Sequence, residues 1–358
     1  MYRNTKNVPY YVFGRGSLAQ LGDLLKPRRE AVDGPVVYFV DHFFRDHELI
    51  GRLPMEKGDQ LHFVDSSSEP EVPRIDAFKE AVSAADSRTP CCVVGIGGGN
   101  ALDTAKAVAN LLTNPGKAED YQGWELVKNP AVYKIGIPTL SGTGSECSRT
   151  CVLTNIPKNL KLGMNSDYTV YDQLLLDPDL LATVPRDQYF YTGIDTFMHC
   201  VESLQGSYRN AIIDAFSVRA VQLCEEIFLS DDMMSEENRE KMMIASYIGG
   251  MAAGNVGVIH PFSAGLGVVL HVAHGLGNCL ALNVLGDIYP KEYKQFRTMI
   301  ERQGVNLPTG ICKDLTEEQY EGLYRGCIVH EKPLTNALGP DFKQILTREN
   351  LIERYKSI

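Results

Sequence analysis

The sequence predicts a two-domain protein, with an α/β domain over residues 1–184 and a mainly α-helical domain over residues 185–358. Up to about residue 115, short apolar strand-like runs alternate with helical segments, the pattern of a parallel sheet with crossover helices. After about Pro185 the apolar positions recur at helical spacing and strand patterns become rare. A chain of 358 residues is long enough to build two hydrophobic cores.

The composition favours a small-molecule partner in a reducing compartment. The 45 acidic residues outnumber the 35 basic ones, and the net charge of -10 disfavours nucleic acid and anionic membrane surfaces as partners. The nine cysteines form no Cys-x-x-Cys pair, which favours reduced thiols. The first residues lack the apolar core of a signal peptide, and no run approaches the roughly 18 apolar residues of a membrane span. We therefore expect a cytoplasmic protein.

The first domain is predicted to open with alternating helices and strands that lead to a glycine turn. The predicted elements are a helix from Ser17 to Leu25, a strand from Val36 to Val40, a helix from Arg74 to Ala85, a strand from Cys91 to Ile96, and a helix from the glycine turn to Leu112. In that turn Asn100 is the predicted helix N-cap, with Asp103 three residues on.

The turn Gly97-Gly98-Gly99 is a candidate phosphate site. Glycine lets the backbone approach an anion closely, and a helix N-terminus offers N–H groups and a favourable dipole. A tight strand-to-helix turn is the alternative. The usual dinucleotide fingerprint is absent, because the candidate ribose acid, Asp41, precedes the glycines. There it would favour NAD over NADP, although a lone Asp after a strand is also a common turn residue.

A second glycine-rich segment runs from Pro138 to Glu146, after a predicted strand from Tyr133 to Ile137. Its hydroxyl groups alternate with glycines, which provides both hydrogen-bond donors and room for a phosphate or a nicotinamide edge. A polar surface loop is the alternative. Two such loops, each after an apolar strand, favour a nucleotide cleft.

The second domain carries candidate metal ligands on its predicted helices. The predicted helices run from Gln188 to Leu204, from Ala211 to Phe228, from Glu236 to Ala253 and from Asp341 to Tyr355. Asp195 and His199 stand four apart, so a helix places both on one face. Such a pair is also common as a surface hydrogen bond.

His260 and His274 are the other candidate ligands, in an apolar stretch rich in small residues. On one unbroken helix their separation would be about 21 Å, too far for one metal. The chain is therefore predicted to turn back between them, at Gly265 and Gly267. The resulting set of three nitrogens and one oxygen suits either Fe(II) or Zn(II).

In these motifs the chain resembles the iron-containing (group III) alcohol dehydrogenase family over nearly its full length. The matching residues are Gly14-Arg15-Gly16-Ser17, Gly97 to Asn100 with Asp103 and Lys106, Pro138 to Glu146, Lys161, Asp177-Pro178, Asp195 with His199, and His260 with His274. Together, in this order, they are highly specific.

The resemblance implies an N-terminal Rossmann-like α/β dinucleotide domain and a C-terminal helical domain, as in the dehydroquinate synthase-like fold, with a divalent metal (Fe2+ or Zn2+) in the cleft between them. The family transfers hydride between an alcohol carbon and the nicotinamide of NAD or NADP. The implied cofactor contacts are Gly97, Gly98, Gly99, Asn100 and Asp103 near the pyrophosphate, Thr139, Ser141, Thr143 and Lys161 elsewhere on the nucleotide, and Asp41 on the adenosine ribose. The implied metal ligands are Asp195, His199, His260 and His274.

One position departs from the family. Many members have a further histidine four residues after the first metal histidine, and this chain has Ala264 there. His271 lies three residues before His274, on the same face if that segment is helical, and is a substitute candidate for catalytic proton transfer. A hydrogen bond in the core, or orientation of a metal ligand, is an equally good interpretation of His271.

A narrower resemblance is to the branch that oxidises the C8 hydroxyl of 3-deoxy-D-manno-octulosonate (Kdo) to an aldehyde, ahead of amination to an 8-amino sugar for lipopolysaccharide. It implies a downstream aminotransferase as a partner, and the branch is described as an oxidase. We expect a homo-oligomer, a dimer. The alternatives are a general NAD(P)-dependent alcohol or polyol dehydrogenase, a dehydroquinate synthase-like lyase, and a non-enzymatic regulator that has kept the fold.

Overall fold

The computed structural model describes residues 6–158 and 160–358, which form two compact units. The first holds the described residues up to Leu140, together with Ser145–Asn155 and Leu162–Thr183. The second holds Ser141–Gly144, the described residues of Ile156–Lys161, and Val184–Ile358.

The first unit is built on a six-stranded parallel sheet with the order β1-β9-β6-β4-β2-β3. A smaller sheet has the order β5-β8-β7. The strands are β1 (Tyr10–Phe13), β2 (Val36–Asp41), β3 (Gln60–Val64), β4 (Cys92–Gly97), β5 (Gly123–Trp124), β6 (Lys134–Pro138), β7 (Thr150–Asn155), β8 (Leu160–Asn165) and β9 (Gln173–Leu176).

Three helices accompany this sheet: α1 (Leu21–Ala31), α2 (Val72–Ala85) and α3 (Gly99–Leu111). The central strands β2 and β4 are buried along nearly their whole length, which explains why their sequences are almost continuously apolar. Two apolar cores pack against the sheet, one including Phe39, Ile75 and Val108 and the other including Leu25 and Ile135. This is the α/β architecture predicted for the N-terminal part.

The carboxyl ends of three strands meet at one edge of the sheet. Asp41 ends β2, Gly97 ends β4 and Pro138 ends β6, and Gly97 is in register with Pro138. The chain goes from β2 to its neighbour β3 on one side and later adds β4 on the other. Ligands of parallel α/β sheets bind at such a switch point.

Two of the sequence motifs form a single structural feature in the first unit. The buried carboxylate of Asp177 accepts hydrogen bonds from the backbone N–H groups of Gly16 (3.0 Å) and Leu18 (3.0 Å). It also accepts one from Asp179 N (3.1 Å). Asp177 therefore fixes the turn after β1, where Gly16 has a φ of 72°.

The second unit is helical. Its helices are α4 (Arg186–Gln205), α5 (Ala211–Phe228), α6 (Glu236–Gly249), α7 (Ile259–Leu270), α8 (His274–Val284), α9 (Pro290–Gln303), α10 (Glu317–Ile328), α11 (Glu331–Leu338), α12 (Phe342–Ile345) and α13 (Arg348–Lys356). The predicted boundaries of α5 agree with the structure. The helix predicted to reach Ala253 becomes a 3-10 helix, Gly250–Asn255, after Gly249. The predicted tail helix is two helices, α12 and α13.

The turn between His260 and His274 is not where the sequence predicted it. Helix α7 runs through Gly265 and Gly267 without a break, and the chain turns at His271, which is left-handed with a φ of 55°. A Cβ on Gly265 would lie 2.5 Å from Tyr355 Oη and 2.7 Å from Leu323 O. Gly265 therefore serves close helix packing rather than a turn.

No single helix among the described residues is long and apolar enough to cross a membrane. The segments Glu236–Asn255 and Ile259–Leu270 reach that length and composition only as a pair, and they are bent by 91°.

Candidate metal and cofactor sites

Three of the predicted metal ligands come together in the second unit. One ligand atom from each of Asp195, His260 and His274 lies within 4.8 Å of the others. Asp195 Oδ1 is 3.1 Å from His260 Nε2, and Asp195 Oδ2 is 3.5 Å from His274 Nε2. The fourth candidate, His199, stacks on the ring of His260 with centroids 4.5 Å apart and has Nε2 3.8 Å from Asp195 Oδ1.

The local structure explains this convergence. Helix α4 is buried almost continuously from Tyr189 to Ser203, so its i, i+4 pair Asp195 and His199 faces the interior. His260 lies in the first turn of α7, and His274 is the first residue of α8. Because the chain turns at the end of α7, the N-terminal ends of α7 and α8 both lie next to Asp195.

The charges of the cluster suit a cation. Burial alone would raise the pKa of Asp195, but the three surrounding imidazoles hold it well below its usual range. Burial lowers the pKa of His199 to about 4 against the attraction of Asp195. Asp195 Oδ2 is buried and accepts no hydrogen bond among the described residues. A buried carboxylate oxygen among imidazole nitrogens fits a divalent metal such as Zn2+ or Fe2+.

Two further side chains belong to this cluster and were not predicted. Glu202 is buried, its carboxylate contacts His260 Nδ1, and it accepts a hydrogen bond of 2.6 Å from Ile259 N. Asn278 Nδ2 donates to Asp195 Oδ1 at 2.7 Å. Glu202 lies seven residues after Asp195 on α4 and Asn278 four after His274 on α8, spacings that were visible in the sequence.

Glu202 sets the protonation of His260. Burial would lower the pKa of His260, but the carboxylates of Glu202 and Asp195 raise it to about 9. A carboxylate on Nδ1 fixes which ring nitrogen carries the proton and leaves Nε2 directed at a ligand. Here Nε2 is directed at Asp195.

The structure corrects the geometric argument about His271. It ends α7 in the left-handed conformation, is exposed, and precedes the start of α8. His271 and His274 therefore do not share a helical face. Ala264 lies one turn after His260 on α7 and is buried.

In the first unit the glycine turn has the close contacts that a phosphate loop requires. Gly97 has a φ of 150°, and a Cβ there would lie 2.6 Å from Ala101 Cβ and 2.9 Å from Asp41 Cβ. Helix α3 starts at Gly99, and its first turn leaves N–H groups without partners in the helix. The side chain of Asp41 accepts from Phe43 N (3.0 Å), which is the cap of a 3-10 helix. The turn-residue interpretation of Asp41 thus holds, and a ribose contact would be additional.

The predicted N-cap is wrong. Gly98 is the N-cap of α3, and Asn100 lies inside the helix. The Asn100 side chain instead donates to Ser68 O (2.8 Å) and Ser66 O (3.4 Å), which fastens the loop after β3. Glycine occupies the cap because the backbone there packs against Leu140, 3.3 Å from a Cβ on Gly98.

Asp103 and Lys106 hold the second loop in place from inside the first unit. Asp103 accepts from Ser145 Oγ and from Val152 N (2.8 Å). Lys106, which is fully buried, donates to Ser145 O (2.8 Å) and Ser148 O (3.2 Å) and contacts Thr150 O. Burial raises the pKa of Asp103. In this structure the hydrogen-bond partners of the Asp103 carboxylate are therefore groups of the protein itself.

The remaining cofactor candidates lie in both units. Thr139 belongs to the first unit, and its N–H donates to Gly97 O at 3.0 Å. Ser141 and Thr143 belong to the second. Ser141 Oγ is buried without a hydrogen-bond partner among the described residues. Lys161 also belongs to the second unit and is buried, at the start of β8.

The motifs of both units match known families. Residues 9–178 match the family model "Iron-containing alcohol dehydrogenase", and residues 189–322 match "Fe-containing alcohol dehydrogenase family, C-terminal". The chain belongs to the iron-containing alcohol dehydrogenase family. This confirms the family predicted from the motifs, and with it the enzyme class, since these are oxidoreductases.

Individual relatives agree with that family. The chain is 36% identical over 210 residues to a sulfoacetaldehyde reductase of Bilophila wadsworthia (strain 3_1_6), covering 57% of this chain and 54% of that protein. It thus spans about half the length of this relative. It is 29% identical over 278 residues to an NAD-dependent methanol dehydrogenase of Bacillus methanolicus, covering 75% and 71%.

A solved structure confirms the fold. The sulfoacetaldehyde reductase of Bifidobacterium kashiwanohense, crystallised in complex with NAD+, matches with a TM-score of 0.80 at 24% identity and covers 99% of this chain and 98% of that one. At this identity the match shows the fold alone. None of these three relatives is a Kdo-oxidising enzyme by name, so they give the Kdo assignment no support.

Proposed function

We propose that the chain is a metal-dependent oxidoreductase that interconverts a primary alcohol and an aldehyde, with NAD or NADP as the hydride partner. The observation that carries this proposal is the convergence of Asp195, His260 and His274 on one point inside the second unit. The family supports it, because its members are alcohol dehydrogenases.

The side chains of the cluster would bind and orient the metal. Asp195, His199, His260 and His274 would be its ligands, and Glu202 would fix the ring of His260. A divalent cation bound there stabilises the alkoxide form of an alcohol as a Lewis acid. Fe2+ and Zn2+ both suit three nitrogens and one oxygen.

The first unit would hold the dinucleotide. The backbone at Gly97, Gly98 and Gly99 would bind the pyrophosphate, because a side chain on Gly97 would close the approach. Asp41, at the end of the neighbouring strand, would accept a hydrogen bond from a ribose hydroxyl. Its charge would repel a 2′-phosphate, which favours NAD over NADP. Asn100, Asp103, Thr139, Ser141, Thr143 and Lys161 complete the proposed contacts.

Proton transfer to or from the alcohol needs a titratable side chain near the substrate. Because Ala264 carries no titratable group, His271 is the proposed substitute, and its exposure would let it exchange protons with solvent. His271→Ala should then lower kcat and leave metal content unchanged. Full activity of that variant would remove His271 from the mechanism.

For the substrate we propose a primary alcohol of a polyol or sugar acid, with the C8 hydroxyl of Kdo as the specific candidate. The resemblance to the Kdo branch motivates it, and an aminotransferase would then consume the aldehyde. Two relatives are named for sulfoacetaldehyde, which like a sugar acid carries an anionic group. Kdo, isethionate (the alcohol that corresponds to sulfoacetaldehyde) and simple alcohols therefore form the substrate panel.

One experiment tests the function. Purified wild type and His274→Ala are analysed for metal and retained nucleotide, then assayed on the panel with and without NAD or NADP, in air and under anaerobic conditions. We expect His274→Ala to lose both metal and turnover. His47→Ala is the control and should keep both, because the His47 imidazole lies in the first unit, where it accepts from Leu49 N (3.1 Å) and packs on Phe44.

The outcomes separate the alternatives. A fully active, metal-free His274→Ala variant would overturn the proposed function. An oxygen requirement without added nucleotide would indicate an oxidase, and net NADH formation would indicate a dehydrogenase. Turnover of a phosphorylated cyclisation substrate with neither NADH nor peroxide would instead indicate a dehydroquinate synthase-like lyase.

A further inference from the structure

The backbone of Gly142 is held on both sides by hydroxyl groups that the proposed mechanism does not use. Gly142 N donates to Ser246 Oγ at 2.8 Å, and Gly142 O accepts from Thr196 Oγ1 at 2.9 Å. Both side chains are fully buried, Thr196 on α4 and Ser246 on α6. Buried hydrogen bonds of this kind make the segment that they hold rigid.

The segment Ser141–Gly144, here called the 141–144 loop, lies directly against the helices of the second unit. A Cβ on Gly142 would lie 1.7 Å from Thr192 O, and Gly142 has a φ of 144°, so only glycine fits at this position. A Cβ on Gly144 would lie 2.3 Å from Gly250 Cα. The two glycines therefore permit the close contact, and the two hydroxyl groups fix its position.

Thr196 directly follows the proposed metal ligand Asp195 on α4. Successive side chains of a helix point about 100° apart, so Asp195 faces His260 and His274 while Thr196 faces the 141–144 loop. The methyl group of Thr196 packs on α6, where a Cβ on Gly249 would lie 2.6 Å from Thr196 Cγ2. This packing fixes the rotamer and thereby the direction of the hydroxyl group.

Ser141, the residue before Gly142, supplies the independent sign of a ligand. Its hydroxyl group is buried and has no hydrogen-bond partner among the described residues. A buried polar group without a partner destabilises the folded protein, so a ligand that pairs with it is favoured. Such a hydrogen bond is sensitive to position, because it weakens steeply once the two oxygens lie more than about 3 Å apart.

We infer that Thr196 and Ser246 are positioning residues for nucleotide binding: they hold Gly142 so that the neighbouring Ser141 Oγ hydrogen-bonds to the dinucleotide. The inference rests on the proposed function, in which the 141–144 loop contributes to the cofactor site. Both residues act through the backbone of Gly142. Helix α4 then serves both sites, with Asp195 in the metal cluster and Thr196 on the loop.

The test measures the dissociation constant (Kd) of NAD or NADP, whichever wild type binds more tightly, by titration calorimetry with the metal-loaded protein. Thr196→Ser keeps the hydroxyl group and should bind nearly as tightly as wild type. Thr196→Ala differs from Thr196→Ser by that hydroxyl alone, and its Kd should be about three- to ten-fold higher, because Gly142 O loses its donor. Ser246→Ala removes the acceptor of Gly142 N and should raise the Kd to a similar extent.

Ser203→Ala is the matched control. Ser203 lies two turns after Thr196 on α4 and is equally buried, and its hydroxyl group has no hydrogen-bond partner among the described residues. The substitution removes a buried hydroxyl from the same helix and leaves both hydrogen bonds to Gly142 intact, so the Kd should not change. Metal content should equal that of wild type in all four variants, because Asp195 is retained.

A purely structural role gives a different result. It would lower the temperature of thermal unfolding of Thr196→Ala and Ser246→Ala and leave the Kd of the folded proteins unchanged, which would overturn the inference. A Kd of Thr196→Ser as high as that of Thr196→Ala would also overturn it, as would an equal rise in Ser203→Ala. Ser246→Ala removes a single oxygen atom, and it decides the question if Thr196→Ala does not fold.

The binding measurement separates this inference from the proposed function. A wild type that binds a dinucleotide but oxidises no alcohol would overturn the proposed function, while the Kd values would still decide the roles of Thr196 and Ser246. A wild type that binds neither NAD nor NADP would overturn the inference, even if it oxidised alcohols with oxygen as the acceptor.

Discussion

Glu202 contacts the ring of His260 on Nδ1, while Nε2 of the same ring lies 3.1 Å from Asp195 Oδ1. The imidazole is thus held between two buried carboxylates, one on each nitrogen. Glu202 also accepts from Ile259 N and lies 3.4 Å from Tyr289 Oη, so its own position is fixed. In metal sites a carboxylate in this position orients the ligand and increases its basicity.

Glu202→Gln should therefore weaken metal binding. The amide keeps the shape but loses the charge, and we expect a 10- to 100-fold rise in the metal Kd, as is typical for such orienting residues. Competition with a chelator of known affinity measures it. Glu225→Gln is the control and should leave the Kd unchanged, because the Glu225 carboxylate on α5 is partly buried against Gln295 of α9 and has no contact with the cluster among the described hydrogen bonds and ion pairs. A folded Glu202→Gln protein with wild-type metal affinity would contradict the orienting role.

Gly265 and Gly267, the two glycines predicted to form a turn, should differ in how substitution by alanine changes the stability of the protein. A methyl group on Gly265 would overlap Tyr355 Oη and Leu323 O, at 2.5 and 2.7 Å, and backbone atoms cannot give way cheaply. We expect Gly265→Ala to destabilise the protein by about 1–3 kcal/mol.

Gly267→Ala is the matched control on the same helix. Its Cβ would meet only ordinary contacts at 3.7 and 3.9 Å, and alanine in a helix interior is about 0.5–1 kcal/mol more stable than glycine. Urea unfolding of both variants compares them. Equal destabilisation by the two substitutions would contradict the packing role assigned to Gly265.

The glycines also show what the sequence could and could not predict. Spacing predicted that the chain must reverse between His260 and His274, because a straight helix would separate them too far. The spacing could not place the reversal. Gly265 allows α7 to pack closely against Leu323 and Tyr355, which are distant in sequence, so this glycine does not mark a turn. The reversal occurs at His271, in a left-handed conformation that is uncommon for a non-glycine residue.

The residues of the candidate metal site were likewise predictable only in part. Asp195, His260 and His274 were predictable because imidazoles and a carboxylate among apolar residues need a shared partner. Glu202 and Asn278 lie at helical spacing from these residues, yet Glu and Asn are so common on helices that spacing alone does not distinguish a buried partner from an exposed side chain. The short strands β1 and β9, of four residues each, were not predicted, and neither were the longer strands β3, β7 and β8.

Lys106→Met should loosen the segment from Ser145 to Thr150 in the first unit. It would leave Asp103 as a buried carboxylate without its nearest cation, 3.7 Å away, and it would remove the hydrogen bonds that Lys106 donates to the carbonyl groups of Ser145 and Ser148. Breaking a buried pair in this way costs about 3–5 kcal/mol. Urea unfolding measures it. In the double variant Lys106→Met/Asp103→Asn the loss should be smaller than the sum of the single losses, and strict additivity would contradict direct coupling.

The pair of Arg29 and Asp59 should make the stability of the protein depend on pH. Burial would raise the pKa of Asp59, but hydrogen bonds from Arg29 (2.9 and 2.6 Å), Glu56 N (2.8 Å) and Val36 N (2.9 Å) lower it. A folded-state pKa below the unfolded value means that the carboxylate stabilises the fold above about pH 4, and that this contribution disappears as the pH falls through the folded-state pKa.

Asp59→Asn should accordingly cost about 2 kcal/mol at pH 7, because it weakens charge-assisted hydrogen bonds around a side chain that is only 2% exposed. The difference from wild type should shrink as the pH falls below about 4, where the carboxylate of the unfolded chain becomes protonated, and should vanish once the pH has fallen through the folded-state pKa. Urea unfolding at pH 7, 5 and 3 measures it, provided that wild type is still folded at pH 3. Asp86→Asn is the control, because its partner Arg88 is exposed and such pairs contribute little. A loss for Asp59→Asn that is the same at every pH would show that the charge of Asp59 does not contribute to the stability of the fold.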